Sequence, residues 1–125
     1  MVLGGPVEAA FTGAREYAFG MGGIVGNAMG LDAPPGAGEL AVRRAEFSLR
    51  PLLDQDRNGP MLVVNGADDV HVPQHDTLVF RGRRDTVVNL VPDTGHCAVS
   101  KMPEVFPTIL GWLDRTLTAA AETVR

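Results

Sequence analysis

Pro60-Met61-Leu62-Val63-Val64-Asn65-Gly66-Ala67-Asp68-Asp69-Val70-His71-Val72-Pro73 decides the fold. Its apolar part, 61 to 65, is continuous and β-branched rather than alternating, as expected of a strand covered on both faces. A polar loop with two aspartates follows. The pattern then returns: Thr86 to Val91 is a second buried strand, stopped by Pro92, and Asp93-Thr94-Gly95-His96-Cys97 is the loop after it. Between them, Gln74 to Gly82 can form a helix ended by glycine. From Pro103 the apolar positions Val105, Phe106, Ile109, Leu110, Trp112, Leu113 and Leu117 recur at helical spacing. They predict an amphipathic helix with its proline in the first turn, where the missing N–H costs nothing. Strand, helix, strand and helix joined by short loops imply an α/β fold with a parallel sheet and right-handed crossovers.

The other half of the chain is less regular. Val2-Leu3 followed by Gly4-Gly5-Pro6 reads as the tail of a buried strand running into a loop, as though earlier strands had been lost. Residues 9 to 31 are rich in glycine and alanine, and glycine weakens any long helix, so only loosely helical structure is expected there. Asp32-Ala33-Pro34-Pro35-Gly36 is a break, and Gly38 to Phe47 is a short amphipathic helix. The division is therefore 1–59, a strand remnant with a helical excursion, and 60–125, the regular α/β segment.

Composition narrows the function. The 125 residues fit one small domain, and 45% hydrophobic with 21% charged residues is ordinary for a globular protein. A net charge of −4 argues against a nucleic-acid surface, and Arg43-Arg44 and Arg81-Gly82-Arg83-Arg84 read as solvated spots. No apolar run approaches the ~20 residues a membrane span needs. The N-terminus lacks the basic and apolar regions of a secretory signal. The single cysteine, Cys97, has no internal partner, which fits a reducing cytoplasm.

Chemistry concentrates on the two loops. Ligand and catalytic groups of open α/β sheets gather beyond the carboxyl ends of the strands. Asp69 follows the first strand and His96 the second, 27 residues later. Parallel strands lie about 5 Å apart, so loops leaving neighbours can bring a carboxylate to an imidazole. A carboxylate accepting Nδ1–H of His96 fixes its tautomer and leaves Nε2 as a general base. The plainer reading is a loop carboxylate capping the helix that starts near Val72, beside a surface histidine. Asp68 is the better cap and the lesser candidate for the acid.

These two loops together resemble the C-terminal third of α/β-hydrolases. In that family a strand feeds a Gly-x-x-Asp-x-x-x-Pro loop carrying the acid, and Gly66 to Pro73 matches it with Asp69 in the acid position. The next strand feeds a Gly-His loop carrying the base, matched by Gly95-His96, and a final helix covers the sheet. The order acid then histidine also fits. The wording most resembles the esterase-like group of the fermentation–respiration switch protein. The likeness is strong over 60–117 and weaker before it, where Val2 to Pro6 would be the strand after the nucleophile elbow and 9–50 a cap-like excursion.

The departure from the family is the nucleophile. No Gly-x-Ser-x-Gly occurs, neither Ser48 nor Ser100 is flanked by glycines, and Cys97 adjoins His96 rather than facing it. The oxyanion hole would also lie upstream of Met1. The resemblance therefore implies a C-terminal fragment of a cytoplasmic serine hydrolase, with a short parallel sheet of two to three strands flanked by helices. Asp69 and His96 would serve a small-molecule ester or thioester in the intact enzyme, without a cofactor, and the chain alone would be inactive.

Other readings are weaker. His71 and His75, with Asp69 and Asp76 nearby, suggest a metal site, but Pro73 interrupts the helix that would align them and no third ligand is evident, so no metal is expected. Gly20 to Gly26 faintly resembles a dinucleotide loop but follows no strand. Cys97 reads as a small buried apolar residue. Met21, Met29 and the aromatics between 11 and 19 read as core or cap lining, or as an acyl pocket in a complete enzyme. In a different class, the chain is an association module. An unpaired sheet edge is a ready site for pairing, which predicts a homo-oligomer formed through the edge or by swapping.

Overall fold

A computed structural model of the chain describes residues 1–12, 21–36, 38, 39, 42, 46–55 and 59–123. Three parallel strands, β1 (Val2–Leu3), β2 (Met61–Gly66) and β3 (Thr86–Val91), pair in the order β1-β2-β3. Val2 and Leu3 lie opposite Val63 and Val64, while β2 and β3 pair in register from Met61 with Thr86 to Gly66 with Val91. The apolar run 61–65 is thus the central strand. Its residues Leu62 to Gly66 are all buried, which is why it carries no polar alternation.

The pleat divides the core into two layers. On one face Leu62 and Val64 pack with Val91, Ala98, Val105, Ile109 and Trp112, the last three from the C-terminal helix α5 (Met102–Thr123). On the other face Val63 packs with Val7, Leu53 and Phe80, and Val2 and Val88 support them. Leu53 belongs to α3 (Arg50–Leu53). The fold is a small three-stranded α/β unit with helices on both faces.

The excursion between β1 and β2 holds α1 (Ala9–Thr12) and α2 (Met21–Ala28). Residues 13–20, including Tyr17 and Phe19, lie outside the described residues, as do Arg43 and Arg44. Within the helix expected over Gly38–Phe47, the described residues 38, 39, 42, 46 and 47 are helical. The glycine run from Met21 to Gly26 sits within α2, so it is helix and not a phosphate-binding turn.

Two helices depart from expectation. The helix after the acid loop, α4 (Gln74–Leu78), is shorter than Gln74–Gly82. Phe80 turns into the second core layer, 4% exposed, and Gly82 reverses the chain at φ +78°. In α5 the apolar positions form two stripes rather than one. Val105, Ile109 and Trp112 are buried, whereas Phe106, Leu110, Leu113 and Leu117 stand exposed about a quarter-turn round the helix. Among the described residues, no helix is long and apolar enough to cross a membrane.

Candidate active site

The two loops beyond the carboxyl ends of β2 and β3 are joined by backbone before any side chain is considered. Ala67 N–H donates to the Val91 carbonyl at 2.8 Å, and Asp68 N–H to that of Thr94 at 3.0 Å. Gly66 allows this closeness, because a Cβ there would overlap the carbonyl oxygens of both Thr94 and Gly95. The glycine of the acid loop is therefore needed for loop-on-loop packing.

On this platform Asp69 meets His96. Oδ2 of Asp69 lies 2.8 Å from Nδ1 of His96, while Oδ1 accepts the backbone N–H groups of His71 at 2.7 Å and Val72 at 3.0 Å. The aspartate side chain is fully buried, and the histidine side chain is 45% exposed. Burial alone would push the Asp69 carboxyl up. Hydrogen bonds from the Val72 amide, the His96 and Asn65 side chains and the His71 amide outweigh it and hold the group below its ordinary 3.8. An ionised carboxylate only accepts, so Nδ1 carries a proton, and in the neutral ring Nε2 presents the lone pair. Among the described residues Nε2 has no hydrogen-bond partner.

A buried asparagine, unremarked in the sequence pattern, braces both loops. Asn65 is wholly buried at the end of β2. Its Oδ1 accepts the Cys97 N–H at 2.9 Å and its Nδ2 donates to Thr77 Oγ1 at 3.3 Å, while its nearby amide helps hold the Asp69 carboxyl down. The signal available was one polar residue inside an otherwise apolar strand. The Cys97 bond acts where the backbone is least comfortable. Cys97 and Ala98 both adopt left-handed φ values, 58° and 53°, in the 3₁₀ segment His96–Lys101. Such conformations cost about 1–2 kcal/mol per non-glycine residue and persist where surrounding contacts enforce them.

The remaining candidates are placed as follows. Asp68 does not cap α4, whose N-cap Pro73 has no side-chain cap. Asp76 is buried and caps α1 instead, its carboxylate accepting the N–H groups of Glu8, Ala9 and Ala10 at 2.7–3.0 Å. His75 lies against Arg50, 3.5 Å from its Nη2, whereas His71 lies beside His96. The histidines thus diverge. Among the described residues no three His, Cys, Asp or Glu side chains are grouped to hold a metal. Cys97 is half-buried rather than buried, with Sγ 3.5 Å from the Leu3 carbonyl. Burial and the nearby Asp69 charge push its thiol up, away from the thiolate a nucleophile needs. Ser100 Oγ is hydrogen-bonded to Thr94, and Ser48 Oγ accepts Arg50 N–H.

Against protein-family models, curated proteins and solved structures alike, the chain finds no match.

Proposed function

We propose that this chain supplies the acid and the base of a serine-type hydrolase acting on an ester or thioester. The nucleophile would come from sequence outside these 125 residues. One observation carries the reading: a buried, ionised Asp69 bonded at 2.8 Å to the Nδ1 of a half-exposed His96, at the carboxyl edge of a parallel sheet. In the reaction His96 Nε2 takes the serine hydroxyl proton as the oxygen attacks the acyl carbon. Asp69 stays ionised and stabilises the imidazolium. His96 then protonates the departing alcohol or thiol, and the same cycle with water releases the acid. The substrate is a small acyl compound, no cofactor is required, and the lone cysteine favours the cytoplasm.

The test is turnover of a short-chain nitrophenyl ester by the chain alone and by the chain extended with the sequence encoded upstream. Activity in the extended protein, abolished by His96→Ala and absent from the chain alone, supports the reading. Activity in the chain alone, or an inactive but folded extended protein, refutes it.

A second reading rests on a different observation. Leu3 lies opposite Val64, on the face of the sheet that α5 covers, yet it is 36% exposed, and beside it the outer edge of β1 has no strand partner among the described residues. Together with the exposed stripe of α5, this favours an association module whose occupant is a second copy of the chain.

A further inference from the structure

The Asp69–His96 hydrogen bond holds the imidazole at one atom, Nδ1, and a ring held there alone can still tilt or flip so that Nδ1 leaves the carboxylate. A base held at only one atom wanders from the proton it must take, and losses of this kind are large for small displacements. Three features surround His96. The Cys97 N–H is anchored to Asn65, which fixes the backbone next to it. Gly4 approaches so closely that a Cβ there would sit 3.1 Å from His96 Cε1. The third is His71, whose ring meets that of His96 edge to face, with centroids 5.4 Å apart and planes at 81°. This contact acts on the ring itself rather than on Nδ1, so it resists the tilt and flip that the carboxylate bond alone permits.

We infer that His71 is a positioning residue for His96, its ring holding the base in the plane in which Nδ1 faces Asp69 and Nε2 faces outward. This deepens the hydrolase reading and rests on it for its functional meaning, but the contact itself exists in the chain as it stands. His71 is suited to the role by where its backbone is held. Its N–H donates to Oδ1 of Asp69 at 2.7 Å, so the carboxylate that orients His96 also orients the residue packed against it. The three residues form one unit: a carboxylate, the His71 amide and two rings. Aromatic edge-to-face contacts bias orientation by about two- to tenfold beyond their burial.

The experiment measures the fraction of neutral His96 in the Nδ1–H tautomer, from ring ¹⁵N shifts of the 125-residue chain, with His71→Ala and His71→Phe beside it. Thermal melting of each variant is the control for folding. We expect the ratio of Nδ1–H to Nε2–H tautomer to fall about two- to tenfold in His71→Ala and to be restored in His71→Phe, which keeps the ring without its nitrogens. An unchanged ratio in both variants overturns the inference, as does an equal loss in both with melting unaltered. Should His71→Ala fail to fold, a wild-type ratio in His71→Leu, which fills the space without a ring, would overturn it equally. None of these results depends on turnover, so an inactive extended protein would refute the hydrolase reading and leave this one standing.

Discussion

Asp69 and Gly66 show how much of the site is decided by single residues. Asp69 is depressed below 3.8 in the folded chain, so the unfolded chain binds its proton more readily. The stability this group contributes is full above 3.8 and is lost as pH falls through the lowered folded value. Asp69→Asn should therefore remove part of the acid-induced destabilisation. In acid titration followed by circular dichroism, the variant should lose less stability than the parent as pH falls below 3.8. Equal losses would contradict this sign. Gly66→Ala should destabilise by at least about 2 kcal/mol in urea unfolding, because the Thr94 and Gly95 carbonyls must move to admit the methyl. A change within 0.5 kcal/mol, the usual range of surface substitutions, would mean the loops part easily. Both residues were legible in the sequence, since loop position after a strand and the glycine before it are local signals. Asn65 and the His71–His96 contact were not. Their roles depend on which loop lies opposite, information that one strand and its loop do not contain.

At the scale of elements, β2 was legible because a strand buried on both faces leaves a continuous apolar run, whereas β3, expected to be buried as well, is an edge strand among the described residues, in which only Val91 is buried and Val87 is exposed. The helices were less so, because periodicity reports apolar positions and not what covers them. In α5 seven apolar positions share helical spacing, yet Val105, Ile109 and Trp112 are buried while Phe106, Leu110, Leu113 and Leu117 are exposed. Ile109→Ala should cost about 2–5 kcal/mol and Leu110→Ala less than about 1, measured by chemical denaturation. Equal costs would mean that the outer stripe is covered. Asp76 carries a similar lesson. The sequence offered it only as a neighbour of the His71–His75 pair, but it reaches across to the first turn of α1 and receives three backbone N–H groups. Asp76→Ala leaves those half-buried donors without their acceptor and should cost about 1–3 kcal/mol, with Asp76→Asn recovering part of it. A loss below about 0.5 kcal/mol would show that α1 holds without this cap.

The whole molecule is a three-stranded parallel sheet with a hydrogen-bonded Asp69–His96 pair beyond its carboxyl edge and open apolar surface at β1 and α5. Two predictions belong to this scale. Light scattering of the chain should show a species larger than 13.3 kDa that Leu110→Glu with Leu117→Glu reduces toward the monomer, while a monomer at all concentrations would remove the association reading. If upstream sequence supplies the neighbouring strands, the extended protein should lose this tendency, because the same surface is then covered. The sequence conveyed the class of fold and the pairing of Asp69 with His96, since both follow from strand patterning and the loops after strands. What the open face receives is written in no residue of this chain. The most direct test of the central claim is intact-mass analysis after treatment with a fluorophosphonate, which labels serines activated by a histidine. The account predicts no adduct on the 125-residue chain and one on the extended protein, at a serine upstream of Met1, lost in His96→Ala. An adduct on Ser48, Ser100 or Cys97 of the chain alone, or none on the folded extended protein, would contradict it.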